Sequence, residues 1–360
     1  MFVKLSRWVW LTLGAIGGLL ALFWVLRDFD LDRFQTVLSG ANYFPLLLLS
    51  AFIVLEQIFR AIKWRQLLYA HRPIGLWRLF GAIMIGYFSN LLVPLGVSPL
   101  VRGWLIARLE ALRVSTVLAT IALDRIIDGV VFLIFAGIVI LGFHFPDAEG
   151  TVRAGISWGA LASFVIFALL IAGFAGFRYA VRQERAPLGF LSPWFPARLS
   201  QPLANFLRSF LEGVVWPRQP WRQVVIIGAS IAIKLIAVAH FVWVGLAFDV
   251  VLGPMEYVFL MVFLGFLIVL ATSLRIVGSF TVGAIFALQG LGVDVETALA
   301  MAVIAQVVTH LTVVATGAAA FWVQGIQLSE LIGSRQSPAR VQPVAIALKD
   351  KRTQQGIKNA

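Results

Sequence analysis

The sequence predicts an all-α polytopic membrane protein with about eight transmembrane helices and two broken or re-entrant elements. Composition is the first observation behind this prediction: 60% of the 360 residues are hydrophobic and 13% are charged. Soluble domains have about 45–50% apolar and about 25% charged residues. The second observation is the arrangement of the apolar residues in runs of membrane-spanning length, separated by short charged or proline-containing stretches.

Basic residues cluster at the ends of the apolar runs, which is the topology signal of membrane proteins. The net charge of +12 therefore reflects membrane topology, and we expect no nucleic-acid partner. The absence of cysteine excludes disulfides, thiol chemistry and thiolate metal sites. The first apolar run follows Lys4 and Arg7 and reaches Leu26. It is long enough to span and no small-residue cleavage site follows it, so we expect a retained helix rather than a signal peptide.

The apolar runs give the expected helices in chain order. Two starts have local support, because Pro45 occupies a permitted first-turn position and Ser115 can act as an N-cap. The predicted spans are Trp8–Leu26, Pro45–Ile62, Leu79–Val93, Ser115–Phe143, Ala154–Phe177, Val224–Phe248, Pro254–Ser273 and Glu296–Val323.

These spans predict a single transmembrane domain over residues 1–325, followed by a disordered basic cytoplasmic tail at 326–360. Residues 178–223 form a proline-rich, basic cytoplasmic insert. Within it, Leu203–Val215 has the apolar spacing of an amphipathic helix. That helix either lies on the lipid surface or serves as a solvated connector.

Two irregular segments interrupt the apolar pattern. The first contains Pro94, Gly96 and Pro99, and the second runs from Arg275 to Gly283. The positive-inside rule places basic ends inside and acidic turns outside only if the first segment returns to the cytoplasmic side and the second crosses the membrane. Broken elements in both halves of a chain are typical of transporter sites. We therefore expect a bacterial inner (cytoplasmic) membrane protein with both termini in the cytoplasm.

Charged residues within the apolar helices are candidate site residues, because charges at that depth are rare and often functional. Asp124, Arg125 and Asp128 share an arc of about 100° on one helix. They form either a structural ion-pair network or a pocket for a charged headgroup. Arg60 follows Glu56 in the favoured order for a helical pair. It either anchors the helix at the interface or forms the cytoplasmic lip of a headgroup path.

The other candidates lie at the breaks or alone in an apolar helix. Asn90 and Arg102 flank the first break, and Arg275 opens the second. Lys234 lies near the middle of its helix and needs a buried partner such as Asp128. A lone mid-depth histidine is more often a hydrogen-bonded packing residue than a proton carrier. The predicted substrate-binding residues are Arg60, Asn90, Arg102, Asp124, Arg125, Asp128, Lys234, Arg275 and His310.

The sequence contains no P-loop, no HExxH motif, no recognisable serine–histidine–acid set and no metal-ligand cluster. We therefore predict no catalytic residue, no metal and no cofactor. An intramembrane lipid enzyme stays open as a hypothesis without specific support.

Three stretches of the chain have the pattern of a known family: Phe59–Leu68, the hairpin Gly86–Arg102 and the helix segment Leu118–Asp128. They resemble the lysylphosphatidylglycerol synthase membrane-region family of flippase-like inner-membrane proteins, some of which occur in hopanoid gene neighbourhoods. The chain departs from the family pattern at both breaks, where Gly96, Ser98, Pro99, Gly278 and Thr281 replace residues that include acids, and Asp124 replaces a glutamate.

The resemblance implies a flippase-like transporter of an anionic lipid or lipid-linked intermediate, such as a phospholipid, a polyprenyl-phosphate-linked lipid or a hopanoid lipid. Arg102, Arg125 and Arg275 would engage phosphate, and Lys234 and His310 would line the path. The alternative is a non-catalytic scaffold or lipid-binding subunit that recruits a lipid-modifying enzyme. We expect no enzyme activity, because no polar segment is long enough for the soluble aminoacyl-transferase domain of the synthases.

Overall fold

The structure is a computed structural model that describes residues 23, 26, 29–92, 96–146, 150–182, 206, 208–274 and 279–324. The described helices belong to one compact unit, which ends at Gln324, and the described residues include no strand. The helices are α1 (Leu31–Gly40), α2 (Phe44–Leu68), α3 (Leu76–Leu92), α4 (Ser98–Leu109), α5 (Val114–Gly142), α6 (Thr151–Arg182), α7 (Pro220–Ala247), α8 (Pro254–Leu274), α9 (Ser279–Gly290) and α10 (Val295–Gln324).

The all-α membrane prediction is confirmed. Four helices, α2, α5, α7 and α10, are long and apolar enough to cross a membrane, by length and composition. Shorter apolar helices at Thr151–Ile166, Pro254–Ile268 and Phe280–Gly290 accompany them. The count of eight spans stays a prediction. Most of the predicted helix Trp8–Leu26, the middle of the insert and the tail 326–360 lie outside the described residues.

Several predicted boundaries are wrong, among them the end of the second break at Gly283, because α9 begins at Ser279. The second predicted helix does not stop at Ile62, because α2 continues to Leu68 and buries one face of its last two turns. The insert is shorter than 178–223, since α6 reaches Arg182 and α7 begins at Pro220. The helical residues 208–213 inside the insert pack against α5, where Thr116 donates a hydrogen bond to the Ser209 carbonyl at 3.4 Å. This part of the predicted amphipathic helix therefore contacts protein.

Helix ends meet on two faces of the molecule, which are separated by the length of α2, about 37 Å for its 25 residues. On the first, the basic face, Arg222 at the start of α7 stacks on Tyr69 after α2, 3.4 Å from the ring centroid. Arg72 and Arg78 both pair with Glu110 there, at 3.1 and 2.5 Å. The arginines near this face are Arg65, Arg72, Arg78, Arg108, Arg113, Arg218 and Arg222.

The second, the acidic face, joins the opposite helix ends. The amide of Asn42, before α2, donates to the Ala247 carbonyl at the end of α7 at 2.8 Å. The amide of Asp30, which caps α1, donates to Glu296 at the start of α10 at 3.2 Å. The acidic residues near this face are Asp30, Asp32, Asp249, Glu256, Asp294 and Glu296. The charge asymmetry that the sequence predicts is therefore built into the fold.

The first predicted break forms the tip of a hairpin between α3 and α4, whose open end lies on the basic face. Gly96 in the tip has a φ of +69°, a conformation that favours glycine. Gly86 of α3 lies so close to α4 that an added Cβ would be 2.9 Å from Ser98 Oγ. The hairpin thereby places Arg102 beside Asp124 of α5. Pro94 lies outside the described residues.

A second hairpin, α8 and α9, enters from the acidic face. Phe286 of α9 stacks on Phe263 of α8 with ring centroids 6.1 Å apart. Gly283, one turn before Phe286 in α9, lies against Leu267, one turn after Phe263 in α8. The contacts run along one helix and back along the other, so the two helices are antiparallel. Residues 275–278, which include Arg275, lie outside the described residues.

The cap of α10 offers a direct test of this part of the fold. The Asp294 carboxylate accepts a hydrogen bond from the Thr297 amide at 3.1 Å. Partial burial raises the pKa of Asp294, but its hydrogen bonds with Thr297 outweigh burial and bring the pKa below its ordinary value. Asp294→Ala should lower the free energy of unfolding by about 1 kcal/mol, whereas Asp294→Asn should cost little because asparagine also caps helices.

Thermal unfolding in detergent measures this difference. Because the pKa of Asp294 is lowered in the folded state, the charged cap contributes fully above the ordinary pKa. Its contribution is lost as the pH falls through the lowered pKa. The difference in unfolding temperature between the wild type and Asp294→Ala should therefore become smaller in acid. Equal stabilities of Asp294→Ala and Asp294→Asn at neutral pH would contradict the assigned cap.

Candidate functional site

Lys63 of α2 is completely buried and lies between two carboxylates of α5. Its Nζ is 2.7 Å from Asp124 Oδ1, an ion-pair contact without hydrogen-bond alignment. It donates a hydrogen bond of 2.5 Å to Asp128 Oδ1. The two aspartates are one helical turn apart, so a single ammonium reaches both. An unpaired charge at this depth would cost at least a few kcal/mol, which makes the lysine and both carboxylates mutually dependent.

Arg60, one turn before Lys63, extends the network. Its Nη2 donates to Glu56 Oε1 at 2.6 Å, and its Nη1 donates to Asp128 Oδ2 at 3.3 Å. The helical pair that the sequence predicts between Glu56 and Arg60 is thus present, and it also reaches α5. Asp128 consequently lies between two cations of α2.

The first hairpin supplies a third cation. Arg102 of α4 is buried, and its Nη2 lies 3.4 Å from Asp124 Oδ2. Its guanidinium also lies over the Trp64 ring, 5.0 Å from the centroid. Trp64 in turn donates from Nε1 to Thr120 Oγ1 at 3.0 Å. The broken hairpin therefore delivers a positive charge to the same two helices, α2 and α5, that Lys63 joins.

A cavity of about 460 Å³ opens beside this network. Its volume falls in the range of about 300–1,000 Å³ that is typical of ligand sites. Its walls combine apolar side chains of α5, α8 and α9 with polar groups of α2, α7 and α10. The polar residues that line the cavity are Glu56, Arg60, Lys234, His240, Gln306, Thr309 and His310.

Lys234 differs from the other three cations of the site. Its ammonium lies over the Phe132 ring, 5.4 Å from the centroid. Among the described residues, no carboxylate oxygen lies within the 4.0 Å that defines an ion pair with Lys234. The predicted pairing of Lys234 with Asp128 is therefore absent as a direct contact. An aromatic face attracts a cation, yet leaves its hydrogen-bond donors available.

The described charges of the site do not balance. Four cations face three carboxylates, which leaves a net charge of +1 when the histidines are neutral. A buried charge without a compensating partner is costly. The excess positive charge belongs to the lysine that lines the cavity. The members are Arg60, Lys63, Arg102 and Lys234 on one side and Glu56, Asp124 and Asp128 on the other.

The cavity contains two histidines with different partners. His240 of α7 faces Glu56, with Nε2 3.8 Å from Oε2, a distance beyond hydrogen bonding. His310 of α10, which the sequence singles out, is exposed, and its Nδ1 lies 2.6 Å from the Gln306 carbonyl of its own helix. That contact fits the predicted hydrogen-bonded packing residue, although the ring lines the cavity.

Of the predicted site residues, Arg60, Lys234 and His310 line the cavity, and Arg102, Asp124 and Asp128 belong to the charged network beside it, whereas Asn90 and Arg125 belong to neither. Arg125 is exposed on α5, because it lies about 100° around the helix from Asp124. Asn90 lies near the end of α3 and its buried Oδ1 has no hydrogen-bond partner. Arg275 lies outside the described residues. The proposed phosphate contacts of Arg125 and Arg275 stay sequence predictions.

Sequence reasoning did not include Lys63 among the site residues and missed His240. It placed Lys63 at the end of the second helix, since the apolar run stops at Ile62. The buried positions Ala61, Trp64 and Leu68 nevertheless continue at helical spacing, and this signal was available. His240 carries no distinguishing local pattern, because its carboxylate neighbour lies on another helix.

Comparisons with known proteins give one match. The family model described as the lysylphosphatidylglycerol synthase TM region matches residues 9–317. No curated protein and no solved structure matches the chain. The family match covers the helices that form the charged network and the cavity.

The central role of Lys63 can be tested by substitution. Lys63→Met leaves Asp124 and Asp128 facing each other without their shared cation. Removal of one partner from a buried ion pair costs about 3–5 kcal/mol, so the variant should unfold at a clearly lower temperature in detergent. Arg65→Met, an exposed position on the same helix, should change stability by about 0.5 kcal/mol or less. Equal unfolding temperatures for both variants would contradict the assigned role.

Proposed function

The chain belongs to the lysylphosphatidylglycerol synthase TM-region family, and we propose that it is a flippase-like transporter of an anionic lipid or lipid-linked intermediate. Membership of the family relates the chain to lipid modification or transport in a membrane. The finer assignment rests on the chemistry of the charged cavity.

The cation Lys234 carries the proposal. It lines a cavity among membrane-spanning helices and has an aromatic ring in place of a carboxylate partner. A buried cation of this kind favours an anionic ligand, because the ligand supplies the missing counter-charge. The net charge of +1 over the described network matches a headgroup with a single negative charge, such as a phosphodiester.

Arg60 provides the second proposed contact. Its guanidinium already bonds to Glu56 and Asp128, and its planar donor set can also hold phosphate. These carboxylates offset most of the positive charge of the empty site. An entering phosphate replaces one of them as the hydrogen-bond acceptor of Arg60. Lys63, Asp124 and Arg102 lie behind Arg60 and hold it in position through Asp128.

The two hairpins support transport rather than static binding. One enters from each face, and the described helices of each pair are antiparallel. Interrupted helices in corresponding parts of the two halves are a common feature of transporters. The apolar walls from α5, α8 and α9 suit the hydrocarbon part of an amphiphile that enters from the bilayer.

The proposed orientation places the basic face in the cytoplasm. The positive-inside rule favours it, because arginines crowd this face and carboxylates crowd the other. In this arrangement the protein lies in the inner membrane with both termini in the cytoplasm. Anionic membrane lipids are then the ligands, and an enzyme of lipid biosynthesis is a possible partner for the basic insert.

Reconstitution into vesicles with a fluorescent phosphatidylglycerol tests the proposal. Wild-type protein should accelerate transbilayer movement of this anionic lipid more than that of a fluorescent phosphatidylcholine. Lys234→Met removes a contact with a charged group worth about 1.5–3 kcal/mol, so the rate should fall about 10- to 100-fold. Arg65→Met, which is exposed and does not line the cavity, serves as the matched control.

Equal rates for Lys234→Met and the wild type, with both proteins folded, would reject the transport site. Specific lipid binding that depends on Lys234 without any lipid movement would favour the lipid-binding subunit or scaffold instead.

A further inference from the structure

His240 has an unusual position in the cavity wall. Its Nε2 is buried and has no hydrogen-bond partner, and the nearest carboxylate oxygen, Glu56 Oε2, is 3.8 Å away. The ring lies six residues after Lys234 on α7, about 9 Å along the helix axis. Both side chains line the same cavity. A residue with an unpartnered ring nitrogen thus lies in the wall of the cavity in which the anion is proposed to bind.

Titratable groups of several elements line the same cavity as His240. Helix α2 contributes Glu56 and Arg60, α7 contributes Lys234, and α10 contributes His310. Asp128 of α5 reaches the cavity wall through its contact with Arg60. The described residues of α8 and α9 that line the cavity are apolar or glycine: Met261, Leu264, Gly265, Ile268 and Phe280.

In the empty site this arrangement disfavours a charged imidazole. Glu56 is engaged by Arg60, with 2.6 Å between Oε1 and Nη2. Lys234 and Arg60 are both positive, so a protonated His240 would add a third positive charge to the cavity. An anion bound at Lys234 reverses this balance, because a nearby negative charge favours the protonated form of a histidine. Histidine is the side chain whose charge most readily changes near neutral pH.

We propose that His240 takes up one proton when an anion binds in the cavity, so that the transported anion and a proton move together. This inference rests on the proposed function, since it requires an anionic ligand at Lys234. The lone pair of Nε2 accepts a proton that comes from the bulk solution, and the N–H bond that forms breaks again when the anion leaves and the proton returns to solution. The protonated ring then forms a charged contact with Glu56. This contact replaces the one that Glu56 loses when Arg60 binds the ligand.

Thermodynamic reciprocity makes this coupling measurable. If the anion favours protonation, protonation strengthens anion binding by the same factor. A phosphodiester headgroup keeps one negative charge near neutral pH, so a pH dependence of its binding reports on the protein. The affinity should therefore fall as the pH rises.

The first experiment uses the wild-type protein and needs no substitution. Short-chain phosphatidylglycerol is added to the protein in weakly buffered detergent solution near neutral pH, and a pH-indicator dye follows proton uptake. The expected result is uptake of up to one proton for each lipid bound. Short-chain phosphatidylcholine should cause none. Saturable phosphatidylglycerol binding without proton uptake would overturn the inference.

The second experiment assigns the proton to a residue. The dissociation constant for short-chain phosphatidylglycerol is measured at about pH 6 and about pH 8, which span the histidine range. The wild type should bind about fivefold more weakly at the higher pH, the lower end of typical coupling between sites. His240→Gln should bind equally at both pH values, whereas His310→Gln should keep the pH dependence whatever its affinity.

The outcomes separate this inference from the proposed function. Wild-type binding that depends on Lys234 but is equal at both pH values overturns proton coupling and leaves the transport site intact. A pH dependence that disappears in His310→Gln and persists in His240→Gln overturns the assignment to His240. Absence of wild-type binding at both pH values rejects the anion site, and the coupled proton with it.

Discussion

The contact of the Lys63 ammonium with Asp124 and Asp128 is the interaction on which the central arrangement of helices depends. Helices inside a bilayer gain no hydrophobic free energy from packing, so specific polar contacts and close packing determine how they associate. A charged group there requires its partners at a defined height, because every unpaired alternative is costly. The shared lysine therefore fixes α2 relative to α5. Arg102 then attaches the first hairpin to Asp124. The hairpin reaches this aspartate because the chain turns back between α3 and α4.

A buried ion pair by itself says little about function, since many such pairs are neutral or unfavourable for stability. The informative feature is the distribution of charge around it. Lys63 and Arg102 lie behind the cavity and have carboxylate partners, whereas Lys234 lies in its wall and faces an aromatic ring. The separation divides the network into a part that holds the helices and a part that can change partners. Such a division is expected of a site that must be stable both empty and occupied.

Hydropathy and charge pattern were sufficient to predict the helical class, the longest spans, both interruptions and the two differently charged faces. They failed where the decisive partner is distant in the sequence. Lys63 ends an apolar run, and its burial follows only from carboxylates about sixty residues later. The 100° step between helical neighbours does separate Asp124 from Arg125, and closer attention to it would have placed Arg125 outside the cluster. Nothing local distinguishes His240 from His310, because their difference lies in the facing helix.

The network also has an order along the membrane normal. Lys63, Arg60 and Glu56 follow one another along α2 from the basic towards the acidic face, over about 10 Å. Lys63 contacts both aspartates, Arg60 contacts the second, and Glu56 faces His240. The first two levels pair opposite charges on different helices, whereas Glu56 at the third has Arg60 of its own helix as its ion-pair partner. Under the proposed function, an anion exchanges partners at the cavity wall, where Arg60 and Lys234 lie. Lys63 then keeps both aspartates, so the contact that joins α2 to α5 does not have to break.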